Sequence, residues 1–311
     1  MPEWLRIAQT LILVLTAPEP RWHEALAAGR GCLPPACAEG QLPLALPVVV
    51  HGDRLFLIGD GADPTRVYES QNGRDWRSHV HDADWGSTWG AAYASFRGAL
   101  WRVGGFRDTA DQRTLQNDVW RSADGRVWER ILARAPWPPR ARAHLVVFRD
   151  TLRLIGGEPG DGLHWLTVDG VTWIPRPARD LPPQNPQGVV AHAGSLWILG
   201  HGRWDDATND VWSSVDGTAW NRVTASAAWP VRTGAGFAAL QGRLWVIGGA
   251  GRNDVWSSVD GAHWRQAANT LPGPPRAANY SAVFQGGIWV FGGKTGGAGG
   301  TGFWDGVWFL R

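Results

Sequence analysis

The chain has 311 residues, 30 of them basic and 28 acidic. That near-balance gives no electrostatic case for binding nucleic acid or anionic membranes. Its 22 Trp and 41 Gly are well above ordinary usage, so an account of the fold must say what they do.

In chain order, the first element is the stretch MPEWLRIAQTLILVLTAPEP. It holds an apolar run at residues 11–15, extended by Ile7 and Ala8 and followed by the small pair Thr16 and Ala17. The run is too short to span a bilayer and suits the apolar region of a signal peptide, although Glu3 offsets Arg6 and Pro18 would follow the cut. We therefore expect residues 1–17 to be a signal peptide, the mature chain to be periplasmic or extracellular rather than cytoplasmic, and no transmembrane segment in it. Next comes CLPPAC. In an oxidising compartment Cys32 and Cys37 would close a small disulfide loop; the alternative is two free thiols, and a zinc site would need two further ligands that the neighbouring sequence lacks.

Downstream the chain repeats. The nonapeptide NDVWSSVDG occurs at residues 209–217 and again, unchanged, at 253–261. Aligning on it and on the LWVIGG run upstream gives six units, whose second strands start at Leu55, Leu100, Leu152, Leu196, Leu244 and Ile288, with spacings of 45, 52, 44, 48 and 44. A period in that range indicates a solenoid or a propeller, and we take each unit as one blade of four strands, a to d. Strand a is ARAHLVVF (141–148) in unit three and NYSAVF (279–284) in unit six; strand b is LWVIGG (244–249), strand c is DVWSSV, and strand d carries a lone Trp, as in GTAWNRV (217–223). In strand c, Val211, Ser213 and Val215 point one way and Trp212 and Ser214 the other. Neither face is plainly polar, as expected where stacked blades bury both faces of each sheet.

The c–d turn is Asp-Gly in units two to five and Asn72-Gly73 in unit one, dipeptides that tolerate positive φ in tight hairpins. A Gly pair ends strand b in four units. The Trp follow the same plan: Trp22, Trp76, Trp128, Trp173, Trp220 and Trp264 in strand d, five in strand c, four in strand b, and Trp85, Trp137 and Trp229 in d–a connections. These eighteen are expected in the core, where a buried Trp hides about 150–250 Å², or roughly 4–6 kcal/mol as an upper bound.

Unit six stops after strand c, while RWHEAL (21–26) resembles VWERIL (127–132), a strand d. The expected fold is therefore all-β: a single six-bladed propeller over 18–311, with blades near 45–77, 89–132, 141–176, 186–223, 234–267 and 277–311, the last closed by an N-terminal strand at 21–26. Arg140-x-x-x-His144 at strand a, the Gly pairs and the outer-strand Trp together resemble kelch repeats of the galactose-oxidase-like group, over nearly the whole chain. Trp stands in strand c where kelch units often carry Tyr, Tyr68 excepted. SVDGTAW resembles the sialidase Asp-box with one residue fewer between Asp and Gly.

In a four-stranded meander the b–c and d–a connections share one face, where function would be looked for. Trp204 and Trp304 fall in b–c loops and Trp89 at the start of a strand a, so all three map to that face, either as platforms for sugars or a protein partner or as padding over neighbouring blades. Arg140, Arg232 and Arg276 share one aligned position there, either forming a basic ring suited to a carboxylate or sulfate or tying loop carbonyls between blades. HVHDAD (79–84) offers two His and two carboxylates as metal ligands or as a polar loop start, and Asp205, Asp206, Asp108 and Asp111 lack calcium-loop spacing. No metal or other cofactor is expected. The resemblance allows enzymes to be tested: a galactose-oxidase-like copper site finds no Cys near a propeller Tyr, whereas a sugar epimerase or mutarotase needs only an acid–base pair, such as Glu158 with an Arg. The expected function is a non-catalytic module binding a carbohydrate or protein partner through the loop face, with a sugar-acting enzyme at the same mouth as the alternative.

Overall fold

The computed structural model describes residues 20–26, 46–59, 64–108, 112–177, 185–202, 204–267, 270–277, 280–295 and 306–311, with the short pairs 31–32, 42–43 and 302–303. The proposed leader, Cys37 and Trp304 lie outside the described residues, as do the side chains of Cys32 and Trp204. The architecture is all-β with six blades. Blade 1 is Val48–His51, Arg54–Ile58, Arg66–Ser70 and Arg77–Val80. Blade 2 is Ala92–Phe96, Ala99–Asp108, Arg113–Ser122 and Glu129–Leu132. Blade 3 is His144–Phe148, Thr151–Ile155, Leu163–Thr167 and Ile174–Pro177. Blade 4 is Val189–His192, Ser195–Leu199, Val211–Ser214 and Asn221–Thr224. Blade 5 is Gly236–Leu240, Arg243–Gly249, Arg252–Ser258 and Arg265–Gln266.

Blade 6 supplies Tyr280–Phe284, Gly287–Phe291 and Val307–Leu310, and its fourth strand is Trp22–Leu26. That strand pairs antiparallel with the chain's last one, Trp22 opposite Leu310 and His23 opposite Phe309. Arg21 and Arg311 exchange backbone hydrogen bonds at 2.9 and 3.1 Å, so the closure expected from RWHEAL is present. Strand a of each blade touches strand a of the next, blade 6 touching blade 1.

The nonapeptide can now be read residue by residue. The Asn209 side-chain amide donates to the carbonyls of Ala227 and Trp229 at 3.0 and 2.7 Å, pinning the d–a connection; Asn117 does the same to Ala135 and Trp137. Asp210 accepts from the indole N–H of Trp212 at 2.6 Å. Val211 is buried in the inter-blade core. Ser214 Oγ accepts from the Gly217 N–H at 2.8 Å, and Asp216 Oδ1 accepts from the next two N–H groups, those of Thr218 and Ala219. The same Ser/Thr and Asp/Asn brackets recur in blades 1, 2, 3 and 5.

The turn Gly answers to two constraints at once. Gly73, Gly125, Gly170, Gly217 and Gly261 all have φ between 70° and 78°. A Cβ there would also strike strand b of the preceding blade: 2.0 Å from Trp289 at Gly73, 1.9 Å from Trp101 at Gly170, 2.3 Å from Trp197 at Gly261. Three of the turns thus seat the neighbouring blade's indole, while Gly125 seats Phe56 and Gly217 seats Arg153.

Two expectations need correction. The Trp assigned to strand d sits just ahead of that strand in blades 1 to 5; in four of these its indole N–H closes the turn by donating to the turn Gly carbonyl, at 3.1, 2.9, 3.0 and 2.8 Å for Trp76, Trp128, Trp173 and Trp264, whereas the buried Trp220 indole N–H meets no acceptor among the described residues. Val215 does not share a strand face with Val211: strand c ends at Ser214, and Val215 lies in the turn, 63% exposed. All eighteen repeat Trp are nevertheless buried or half-buried. Trp85, Trp120 and Trp128 meet edge to face at 5.6 and 5.0 Å, and Trp137 meets Trp165 and Trp173 at 5.7 and 4.7 Å.

Gly170→Ala should combine a positive-φ penalty of about 1 kcal/mol with an overpacking cost of about 1–3 kcal/mol. Gly98→Ala, at φ +72° but with nothing within 4 Å of its Cβ, should cost only the first. Urea titrations of both variants check the difference. Acid is the second lever. Burial pushes the His81 and His164 imidazoles down to about 4. Folded values below the unfolded one mean that the unfolded chain takes up these protons first. Their contribution is full above about pH 6.5 and is lost as pH falls toward 4, with a slope of about 1.4 kcal/mol per pH unit for each proton. Thermal melts between pH 7.5 and 4.5 should show this decline, and His164→Asn should flatten it by one proton.

Candidate functional site

In blades 2 to 5 the polar interior is built around an aspartate on strand c or just ahead of it. Asp118, Asp161, Asp210 and Asp254 accept from the indoles of Trp120, Trp165, Trp212 and Trp256 at 2.7, 3.0, 2.6 and 2.7 Å. Each also meets a basic side chain, but from different backbone positions. Arg140 reaches Asp161 at 2.6 Å and Arg232 grips Asp254 at 2.6 and 2.9 Å, both from the d–a connection. His201 reaches Asp210 at 2.8 Å from the b–c loop, and Arg102 reaches Asp118 at 3.5 Å from strand b. Burial pushes the carboxyls of Asp161, Asp210 and Asp254 upward, and the bonds from Arg140, His201, Arg232 and the indoles outweigh it, holding all three below the usual carboxylate range.

The three aligned arginines are accordingly buried. Besides their aspartates, Arg140 donates to the Gly156 and Pro138 carbonyls and Arg232 to those of Gly248 and Pro230. This is the loop-tying arrangement, with the guanidinium groups turned into the blades. Arg276 is equally buried, which lowers its guanidinium to about 10 and leaves it cationic at neutral pH. His79 and His81 part company: His79 joins Arg54 and Arg126 around the buried Glu69 carboxylate, while His81 packs tilted against Trp85 at 4.4 Å. Among the described residues no three His, Cys, Asp or Glu side chains are arranged to hold a metal ion. Trp204 begins a single 3-10 turn, Trp204–Asp206, in which Asp205 and Asp206 are exposed.

Trp89 and Glu158 come together with residues the sequence did not single out. The b and c strands of blade 2 run ten residues each, past the rim of the blade, and the extended ribbon pairs Phe106 with Trp89. The signal was the 52-residue spacing after Leu100. Trp89 is 38% exposed. Arg113 and Arg142 lie against the Phe106 ring, at 4.3 and 5.3 Å from its centroid. Arg142 in turn pairs with Glu158 at 3.3 Å, with the two side chains 42% and 25% exposed. Its backbone N–H bonds Gly90, and Glu158 bridges Ala141, so the b–c and d–a connections of blades 2 and 3 are tied at this point. The loop face here offers an aromatic plane beside an accessible guanidinium–carboxylate pair. The opposite face is also concave: Phe96, Arg97, Trp101, Arg121, Asp124 and Glu129 help to line a groove of about 650 Å³. Concavity alone therefore does not select a face; the aromatic and charged cluster does.

The fold of YjhT is similar, with a TM-score of 0.68 at 16% identity over 85% of this chain and 93% of that one. Altogether 458 solved chains match, so the architecture by itself selects no activity. Among curated proteins none matches the chain. Residues 38–309 match the family described as the DUF6242 beta propeller domain. With that match extending over most of its length, the chain belongs to the DUF6242 β-propeller family.

Proposed function

We propose that the protein is a kelch-like, non-catalytic binding module that takes a carbohydrate on its loop face, at Trp89, Arg142 and Glu158. The carrying observation is the exposed indole next to an accessible ion pair. An indole plane stacks on the apolar face of a sugar ring, while a guanidinium and a carboxylate within reach satisfy hydroxyls on its edge. The kelch assignment rests on Arg140-x-x-x-His144, the Gly pairs at the ends of strand b and the outer-strand Trp. Trp204 and Trp304 fall in b–c loops of the same face by sequence position and are proposed as further contacts; a protein partner is the other ligand that such a face suits. On a glycan array, Trp89→Ala combined with Arg142→Ala should weaken binding at least about tenfold, the loss of some 1.4 kcal/mol. Unchanged binding to every glycan that the parent protein retains would remove this reading.

The Glu158–Arg142 pair supports one second reading. A carboxylate held by a guanidinium at an accessible mouth is the minimum for acid–base work on a sugar. If the site turns over, polarimetry on reducing sugars should detect accelerated mutarotation that Glu158→Gln abolishes. Glycan binding with no acceleration decides for the binding module.

A further inference from the structure

We propose that the interface between blades 1 and 2 binds a small planar oxyanion, of the carboxylate or bicarbonate kind, on the guanidinium of Arg102. Arg102 is fully buried on strand b of blade 2, flanked in register by Tyr93 and Trp120. Its guanidinium lies over the ring of Trp85, 4.6 Å from the centroid. Nη1 makes a long contact of 3.5 Å to Asp118 Oδ1, while the other Asp118 oxygen is engaged by Trp120 at 2.7 Å. Nε and Nη2 are buried and meet no acceptor among the described residues.

The comparison with blade 5 is internal to the molecule. There Arg232 places Nη1 and Nη2 on the two oxygens of Asp254 and Nε on the Pro230 carbonyl. Arg102 holds the corresponding aspartate by one strained contact and turns another edge away from it. The Nε–H and Nη2–H bonds on that edge are parallel, and their spacing matches the two oxygens of a carboxylate. A buried cation with N–H groups unmet is costly by several kcal/mol, so a partner for that edge is strongly favoured.

A second guanidinium reaches the same residue, Trp85. Arg107 reaches the Trp85 carbonyl through Nη2, and its Nε is also buried without an acceptor among the described residues. His81, packed against the same indole, is kept neutral by burial and adds no positive charge at neutral pH. Of the nearby carboxylates, Asp118 is held by Trp120 and Arg102, and Asp82 accepts from the Trp128 N–H at the surface. A monoanion would balance the second guanidinium and fasten the Trp85 connection between the two blades.

Thermal unfolding at constant ionic strength in a bulky zwitterionic buffer tests this. Titration with formate or bicarbonate should raise Tm with the logarithm of concentration above Kd, by roughly 4 °C at about a hundred times Kd, with chloride and sulfate less effective. Arg102→Met should abolish the rise and, because it leaves the buried Asp118 carboxylate without its cation, melt below the parent protein in every buffer. Should that variant fail to fold, the ranking of anions on the parent protein decides. An equal rise with every anion, no rise at all, or a high-resolution map with only water or a carboxylate of the chain itself on the Arg102 edge would overturn the proposal.

Discussion

The constraint on which the rest depends is the close approach of each c–d turn to the indole or other large side chain of the preceding blade. At Gly170 and Gly73 a methyl group would sit about 2 Å from the neighbouring Trp ring, inside any contact distance. A β-sheet that buries both faces must meet its neighbours at packing density, and the wedge between two blades is widest at the rim. Filling that wedge takes a large flat side chain, and seating it takes a backbone with no side chain. Trp and Gly are therefore two halves of one contact, which is why both are over-used here.

Around that contact the repeated string leaves little to chance. Its Asn holds the next connection, its Asp holds an indole and a cation, its Ser and second Asp close the turn, and its Gly admits the neighbour. A residue that serves two blades at once cannot drift without disturbing both, so an identical nonapeptide 44 positions apart has a packing explanation and needs no functional one. The clamp aspartates show where the pattern bends. Blades 3 and 5 bring a cation from one backbone position, blade 4 replaces it with His201 from the b–c loop, and blade 2 uses Arg102 from strand b. What is maintained is a basic side chain donating to a buried carboxylate, not a sequence position.

That distinction sets how much the sequence could reveal. Blade number, the N-terminal closing strand and the core role of eighteen Trp were legible because each follows from local pattern: period, alternation and the Asp-Gly turn. The placement of the d-strand Trp was misjudged by a residue or two, because an indole N–H reaching a turn carbonyl is a three-dimensional bond with no periodicity. Arg140 and Arg232 could be aligned but not oriented from sequence; the aspartates that draw them inward stand 21 and 22 residues downstream. The Trp89, Phe106, Arg142 and Glu158 cluster joins two blades through a ribbon longer than its counterparts, and only the 52-residue spacing hinted at it.

This gives a rule for where function can reside in such a ring. Residues that recur in register are committed to holding blades together, and their polar atoms are already engaged, as the buried Arg140 and Arg232 illustrate. A surface that discriminates a ligand needs side chains free of that duty, which means positions where the repeat is interrupted. Blade 2 is the most irregular of the described blades: its ribbon overruns the rim, its arginine comes from the wrong strand, and its neighbouring connection carries an exposed Trp. The two sites inferred, one on the loop face and one buried at the interface with blade 1, both lie there because departures from the repeat release donors and aromatic surface that the regular blades consume internally.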